Sequence, residues 1–301
     1  MAEGTTNNNS AIAAPELLAE DVKRILIQPL VKQSVFLASG PTIFDGNGSP
    51  IRIPKQAPPI DPAWTGENEA VTESNPNFDE VTLLPTSMKS VATLVRVSNQ
   101  LIRQSVVSVS QALEQRIVRD IANKLDATLI ASATTDGTVP TGILNYSGIQ
   151  TLSVGGALGL DNVLDALALA EAAYVNTSNL RFFMRGETLN VLRKIKTATS
   201  YNSYVLNADP ANPGKFTVFG IPVTITNDIP VTGTTGSKVT KAVLADMSQV
   251  AVGRDLNPSV TIDTSRYLEY RQVAILAEAR LDAAPMNAQA VIRLDGIAAQ
   301  G

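Results

Sequence analysis

Few of the side chains that usually carry out catalysis are present in this sequence. The 301 residues include no histidine and no cysteine. This composition excludes imidazole general bases, thiol nucleophiles, Ser-His-Asp triads, disulfides and the usual zinc or haem sites. Carboxylates, lysines, tyrosines and hydroxyls remain, but they form no acid/base pair at a definable spacing, and no Ser-x-x-Lys pattern joins a predicted strand to a helix. We therefore expect the protein not to be an enzyme and assign it no catalytic residue.

Two glycine-containing segments share features with ligand-binding loops but lack the residues that would complete them. Residues 45–49 read Asp-Gly-Asn-Gly-Ser, like the start of a calcium loop, yet Gln56 stands at the twelfth position, where a bidentate glutamate is required. A turn is the better interpretation. Gly155 and Gly156 have neither the dinucleotide-binding pattern nor the phosphate-loop lysine. The sequence thus predicts no metal site and no cofactor.

The overall composition is that of a folded globular protein. Apolar residues make up 44% of the chain and the formal net charge is −4, so one large core or two medium ones can form. The acidic excess argues against a dedicated nucleic-acid-binding surface. The chain contains no apolar run of the roughly 20 residues that a membrane span needs, and residues 1–10 lack the pattern of an export signal. We expect a protein made in the cytoplasm that has no membrane partner.

The N-terminal segment has little to pack against locally. Residues 1–14 are small and polar, and a helical period of apolar residues then runs from Pro15 until Pro29 ends it. The apolar positions of this period are Leu17, Leu18, Val22, Ile25 and Leu26. We assign residues 1–39 as an N-terminal arm that docks on another surface.

Residues 40–87 are predicted to form an extended loop, a hairpin that projects from the body. Prolines and glycines are frequent here, and short extended pieces at 51–53 and 79–84 enclose the single tryptophan, Trp64. All six charges between Lys55 and Lys89 are acidic. These charges repel one another, and opposite charges on a partner surface would offset that cost. A solvated loop is the alternative, but we favour a contact arm.

We predict a subunit interface made by this loop and by basic residues elsewhere in the chain. Trp64 is either a local packing plug or an interface anchor, and the sequence leaves both open. The predicted interface residues of the loop are Trp64, Glu67, Glu69, Glu73, Asp79 and Glu80. The predicted basic residues are Arg103, Arg116 and Arg119 on one helix, and Arg193, Lys194 and Lys196 on another.

The rest of the chain predicts an α+β fold. Residues 90–97 alternate like a strand, and apolar residues then recur at steps of three or four as far as Ser132, which predicts a helix roughly 50 Å long. Further helices are expected over 161–175 and 187–196. Strands are expected at 181–184, in a bent pair over 216–229, over 239–252 together with a short helical piece, and over 260–293. The elements lack a regular βαβ order.

In this order, the segments resemble the tailed-bacteriophage major capsid protein family, which has the Hong Kong 97-type fold. Residues 63–69 (AWTGENE) and 78–83 (FDEVTL) look like its extended loop, and residues 95–105 (VRVSNQLIRQS) look like the entry to its spine helix. The remaining similar stretches are 140–144 (PTGIL), 219–223 (FGIPV), 245–248 (ADMS) and 280–294.

The resemblance implies a division into domains. Residues 88–140 and 258–283 would form the peripheral domain with its long spine helix. Residues 141–257 and 284–301 would form the axial domain.

The resemblance also implies a shell. The protein would assemble into pentamers and hexamers of an icosahedral phage head, located in the virion, which encloses double-stranded DNA without sequence-specific binding. Separate scaffolding, portal and decoration proteins are possible partners. The family's cross-linking residues cannot be matched here, since Lys55 is the only lysine near the loop. An encapsulin-like compartment shell is the alternative, and a surface-layer protein is a further one that would need an export signal.

Overall fold

The computed structural model describes residues 34–46, 48–56, 64–68, 70, 78–84, 89–98, 109–134, 137–197, 204–206, 216–234, 237–255, 259–263 and 265–299. Within these ranges, two mixed β-sheets lie against helices, and a separate two-stranded hairpin extends from one of the sheets. This architecture is the α+β class predicted from the sequence.

The first sheet has five strands and is organised around one long strand. Its members are β1 (Thr42–Gly46), β4 (Ser90–Ser98), β10 (Val250–Asp255), β11 (Ser259–Asp263) and β12 (Gln272–Pro285). The 14-residue β12 pairs antiparallel with β4 and β11 through its first part and with β10 through its last part. Strand β1 adds to β10 in parallel. Strand β12 therefore pairs with three of the other four strands, and β1 joins the sheet through β10.

The second sheet has six strands in the order β5-β13-β9-β6-β8-β7. They are β5 (Gln150–Gly156), β6 (Leu180–Met184), β7 (Phe216–Val218), β8 (Ile221–Ile225), β9 (Val239–Asp246) and β13 (Val291–Ala298). Strands β7 and β8 form the predicted bent pair. The two residues between them, Phe219 and Gly220, have φ angles of 50° and 80°, the left-handed combination that matches the twist of a tight hairpin.

Four α-helices fall within the described residues. They are α1 (Val35–Ala38), α2 (Val109–Ala131), α3 (Leu160–Ala172) and α4 (Gly186–Arg193). The 23 residues of α2 correspond to about 34 Å, so the described helix is shorter than the predicted one. Ser98 at the predicted start belongs to β4, and residues 99–108 lie outside the described ranges. Helices α3 and α4 confirm the two other predicted helices, with ends displaced by a few residues.

The end of α2 is capped by a side chain from the following turn. Asn145 donates from Nδ2 to the carbonyl oxygens of Ala131 and Ser132, both at 3.1 Å. This satisfies carbonyls that have no partner inside the helix. Gly142 passes so close to the end of α2 that a Cβ added to it would lie 2.6 Å from the backbone nitrogen of Ser132. Glycine at this position lets the chain turn back directly against the helix end.

Two hydrophobic cores lie on opposite faces of the six-stranded sheet. The first core packs Leu125 and Leu129 of α2 against both sheets and includes Phe183. The second packs α3 and α4 on the other face and includes Phe182. Neighbouring residues of a strand point to opposite faces, so β6 contributes to both cores. The two sheets are thereby joined through α2.

Three predicted segment boundaries differ from the observed pairing. The predicted arm 1–39 ends in α1, whose Phe36 and Leu37 are buried. The predicted loop 40–87 begins with β1, which is a strand of the five-stranded sheet. The predicted axial segment 141–257 ends with β10, which belongs to that same sheet. Strand β1 pairs with residues about two hundred positions later, and β10 pairs with residues about thirty positions later, so no local pattern predicts either pairing. The division into peripheral and axial domains remains a prediction.

Candidate subunit interface

The hairpin consists of β2 (Ile51–Gln56) and β3 (Phe78–Leu83), which form a two-stranded sheet of their own. Six residue pairs join the strands, from Ile51 opposite Leu83 to Gln56 opposite Phe78, which gives a ribbon about 20 Å long. Neither strand joins another described sheet. Arg52 and Glu80 form an exposed ion pair across the ribbon at 3.6 Å. Pro54, paired with Glu80, removes one backbone donor and limits unwanted edge pairing.

The base of the hairpin is fixed to the five-stranded sheet by apolar contact. Leu83 and Leu84 are completely buried. The Cβ of Leu83 lies 3.0 Å from where a Cβ on Gly253 would stand, so the glycine of β10 leaves the room into which this leucine packs. Ile51 approaches the same glycine. Both strands of the hairpin are therefore attached at their base, whereas their outer parts extend away from the core.

A buried carboxylate reinforces the same base. Asp282 of β12 accepts a hydrogen bond from the backbone nitrogen of Leu84 at 3.1 Å and an ion-pair hydrogen bond from Lys89 Nζ at 2.8 Å. The side chains of Asp282 and Lys89 are 3% and 14% exposed. Because Leu84 and Lys89 flank residues 85–88, one carboxylate holds both the end of the hairpin and the start of β4. Sequence analysis missed this residue, although one aspartate within an apolar strand is a usual sign of a paired buried charge.

Tyr146 lies near this carboxylate. Its buried hydroxyl has no hydrogen-bond partner among the described residues. Burial, and to a smaller extent the charge of Asp282, raises the pKa of this phenol well above its ordinary value. The tyrosine therefore stays neutral and places no second negative charge beside Asp282.

The predicted loop residues that can be placed are exposed. Trp64 is fully open to solvent and Glu67 is exposed, and Asp79 and Glu80 lie on the exposed surface of β3. Trp64 therefore does not act as a packing plug against the described residues. Glu69 and Glu73 lie outside the described residues. The role of these residues in a subunit interface remains a prediction.

The predicted basic residues are only partly on helices: Lys194 and Lys196 lie beyond the end of α4, which stops at Arg193, and not on the helix predicted for them. Arg116 and Arg119 are exposed on α2, and Arg116 forms an ion pair with Asp120 at 3.0 Å. Arg193 at the end of α4 places its guanidinium 4.8 Å from the ring centre of Phe216. The other members of the predicted set are Lys194, which is exposed after α4, Lys196, which bridges to Tyr204, and Arg103, which lies outside the described residues. Their role in an interface remains a prediction.

A second buried carboxylate anchors the N-terminal part of the described chain. Asp126 of α2 accepts hydrogen bonds from Ser34 Oγ and from the backbone nitrogens of Val35 and Phe36, the latter two at 2.7 and 3.2 Å. Burial raises the pKa of Asp126, and the three hydrogen bonds partly oppose that increase. Sequence analysis missed this residue too. The sequence feature that could have identified Asp126 is its position between Leu125 and Leu129, on the apolar face of a helix.

Several exposed apolar side chains were also missed. Leu94 and Leu276 stand opposite each other on β4 and β12 and face away from α2. At the turn before β12, Leu268 and Tyr270 are 70% and 66% exposed. Alternation along β4 predicts which residues face outward, but no local rule predicts that these would be apolar. Such side chains add to the surface available for subunit contacts.

The described residues contain no helix that is both long and apolar enough to cross a bilayer. Within the same ranges, no three acidic residues come together in a way that could hold a metal ion. Asp45 of the calcium-loop-like segment pairs with Arg254 at 2.7 Å.

Comparison with known proteins identifies relatives of this fold. The model of the phage capsid family matches residues 16–296. The major capsid protein of Klebsiella oxytoca phage phiKO2 is 24% identical over 302 residues, which cover 98% of this chain and 66% of that protein. The chain thus spans just under two thirds of the length of this relative.

Solved structures agree over nearly the whole fold. The capsid of a native GTA particle has a TM-score of 0.71 at 18% identity, covering 99% of this chain and 96% of that chain. Microbacterium phage Oxtober96 gives a TM-score of 0.70 at 13% identity, covering 88% and 91%.

An encapsulin shares the architecture as well. A holo-encapsulin complex from Synechococcus elongatus gives a TM-score of 0.62 at 15% identity, covering 88% of each chain. Fold similarity at this identity does not separate a phage shell from a cellular compartment. The chain belongs to the phage capsid family and has the Hong Kong 97-type fold.

Proposed function

We propose that this protein is the major capsid subunit of an icosahedral phage head, assembled from pentamers and hexamers and enclosing double-stranded DNA. The observation that carries the proposal is the hairpin β2–β3. Its base is buried at Leu83 and Leu84, whereas Trp64 beyond it is fully open to solvent and Glu67 is exposed. A ribbon that is rigidly held at one end and uncovered at the other is suited to contact with a second subunit.

The remaining surfaces support assembly through many modest contacts. Each subunit offers the hairpin, the Leu94–Leu276 surface and the turn bearing Leu268 and Tyr270. Contacts of this kind are individually weak, but a closed symmetric shell engages all of them at once. The assembled state is therefore much more stable than any single pair of subunits. This multivalency also allows shells to form only above a threshold concentration.

The proposed role is structural and involves no catalysis. The chain would enclose DNA without sequence-specific binding, and its net charge of −4 argues against a dedicated nucleic-acid-binding surface. Scaffolding, portal and decoration proteins are proposed as further partners, and the virion is the proposed location, after synthesis in the host cytoplasm.

A compartment shell is the second candidate, supported by the fold that the chain shares with the encapsulin. Particles recovered from the native source would distinguish the two functions. Packaged double-stranded DNA supports the phage head, and packaged enzyme without DNA supports the compartment.

The proposal is tested by assembly of the purified protein. Size-exclusion chromatography at moderate salt followed by negative-stain electron microscopy should reveal capsomers or closed shells. A protein that stays monomeric across a range of salt, concentration and crowding conditions, and that also stays monomeric in extracts of its native source, would contradict the proposal.

A further inference from the structure

A basic surface without acidic neighbours lies at the C-terminal end of α4. Its exposed cations are Arg193, Lys194 and Lys196. Residues 188–207 contain no aspartate and no glutamate, and the acidic residue before them, Glu187, stands at the other end of the helix beside Arg185. Neither Arg193 nor Lys194 forms an ion pair with a described carboxylate. The positive charge of these two side chains is therefore uncompensated within the described part of the subunit.

Aromatic side chains adjoin these cations. The guanidinium of Arg193 lies 4.8 Å from the ring centre of Phe216, on the edge strand β7. A guanidinium that lies over a ring keeps the N–H groups at its own edge available to carboxylates. At the tip of the β7–β8 hairpin, Phe219 is 48% exposed. The cation is thus held in place on one side and open to a partner on the other.

A second exposed aromatic residue lies on the other side of the lysines. The backbone nitrogen of Val205 donates to the carbonyl oxygen of Ile195 at 3.0 Å, which brings Tyr204 beside Lys196. The side chain of Tyr204 is 48% exposed. We use the name α4-end surface for Arg193, Lys194, Lys196, Tyr204 and Phe219.

The loop between β2 and β3 has the complementary composition. All six charges between Lys55 and Lys89 are acidic. Glu67 is exposed in the subunit, and Trp64 near it is fully open to solvent. Carboxylates offset the charge of basic residues across an interface, and tryptophan and arginine are frequent interface anchors. The loop therefore fits a partner that presents cations beside aromatic rings.

The other predicted basic group, on α2, is a poorer match for an acidic partner. Arg116 pairs with Asp120 at 3.0 Å. Asp120 lies four residues from Arg116 and four from Lys124, so it shares one side of the helix with both. This carboxylate would repel an approaching acidic loop, whereas the α4-end surface contains no carboxylate.

The loop and the α4-end surface of one subunit do not meet. Helix α4 packs on the face of the six-stranded sheet opposite α2, whereas the hairpin is anchored to the five-stranded sheet at Gly253 and Asp282. Two different surfaces of the same chain that fit each other produce head-to-tail contacts between copies, and such contacts close into rings when the rotation permits.

We propose that the α4-end surface receives the acidic hairpin loop of a second copy of this chain. Carboxylates of the loop pair with Arg193 and Lys194, and the indole of Trp64 packs beside Phe219 and Tyr204. This inference rests on the proposed function and adds to it which of the two basic groups is the partner of the loop.

A charge exchange in the full chain tests the proposal. One variant reverses the loop (Glu67→Lys, Glu69→Lys, Glu73→Lys), and a second reverses the α4-end surface (Arg193→Glu, Lys194→Glu, Lys196→Glu). A third carries both sets. The matched control combines the loop set with Arg116→Glu, Arg119→Glu and Lys124→Glu on α2, which changes the net charge equally. Circular dichroism verifies folding, and negative-stain electron microscopy measures the yield of shells.

Either set alone should abolish shells, and the two sets together should restore them, whereas the α2 combination should not. Restoration by the α2 combination, by both combinations or by neither would overturn the inference. A parent protein that forms no shells would instead contradict the proposed function, so the two failures are distinguishable.

Cross-linking provides a second measurement that tolerates a poorly folded charge variant, because the protein has no native cysteine. Full chains carrying Glu67→Cys are mixed under assembly conditions with chains carrying Lys194→Cys or, as the matched control, Lys124→Cys, and treated with a short bismaleimide. Denaturing electrophoresis and peptide mass spectrometry should find the mixed interchain product in several-fold higher yield with Lys194→Cys. Equal yields, or a higher yield with Lys124→Cys, would overturn the inference.

Discussion

Lys89 Nζ lies 2.8 Å from Asp282 Oδ1 in a site from which solvent is almost excluded. The same carboxylate also accepts a hydrogen bond from the backbone of Leu84. The strand that follows the hairpin and the end of the hairpin are thereby held at one point of β12. The direction in which the hairpin leaves the subunit is set by this contact together with the packing of Leu83 on Gly253.

Replacing Asp282 with alanine should destabilise the subunit strongly. Removal of one partner of a buried ion pair leaves the other charge uncompensated, at a cost of about 3–5 kcal/mol. The free energy of unfolding measured in urea provides the test. Asp120→Ala is the matched control because it breaks an ion pair that is exposed on α2, and it should change stability little. Similar effects of the two substitutions would contradict the assigned role of Asp282.

Asp126 should make stability depend on pH in a defined direction. Its pKa in the folded subunit is raised by burial, so at a pH near that value the folded state binds more protons than the unfolded state. The contribution of Asp126 to the free energy of unfolding therefore increases as the pH falls through the folded-state pKa and is lost as the pH rises through it. Asp126→Asn removes this titration. Relative to the Asp126→Asn protein, the free energy of unfolding of the parent should increase as the pH is lowered from about 7 to about 4. A difference between the two proteins that does not change with pH would refute the assignment.

Reversing the charge of the loop should block assembly without unfolding the subunit. In the triple variant Glu67→Lys, Glu69→Lys and Glu73→Lys, the exposed loop would repel the basic surface that we propose as its partner. Asp161→Lys, Asp165→Lys and Glu171→Lys on the exposed side of α3 change the net charge by the same amount. Electron microscopy should find shells only for this control and the parent. Normal shells from the loop variant would exclude an electrostatic contact.

Trp64 should report assembly through its own fluorescence. It is the single tryptophan of the chain and is fully exposed in the subunit. Burial against another copy would shift its emission to shorter wavelength as shells form. Trp64→Ala should leave subunit stability unchanged and should weaken assembly, since an anchoring side chain at an interface typically contributes about 2 kcal/mol or more. An emission maximum that stays constant throughout assembly would show that the indole is not an anchor.

The sequence predicts those parts of the fold whose signals are local. The period of Ile117, Ile121 and Leu125 indicates α2, and alternation along residues 90–97 indicates β4, both as observed. Turn chemistry around Gly220 likewise indicates the β7–β8 pair. In each case the spacing of apolar residues reflects one face packed on a core.

The unpredicted features depend on residues distant in the sequence. Thr42–Gly46 pairs with a strand two hundred residues later, and Asp126 binds Ser34 across 92 positions. In both cases, the residues next to one partner in the sequence contain no pattern that predicts the other. The acidic loop residues could be grouped from their like charges, and their contacts with another subunit remain a prediction.

The central claim is that the hairpin β2–β3 reaches over a neighbouring copy of the chain. A cryo-electron microscopy map of assembled particles at side-chain resolution tests it directly. The account predicts that Trp64 and the carboxylates around it lie against another subunit, with the base still held by Asp282. A map in which residues 64–70 contact only their own subunit or solvent would contradict it.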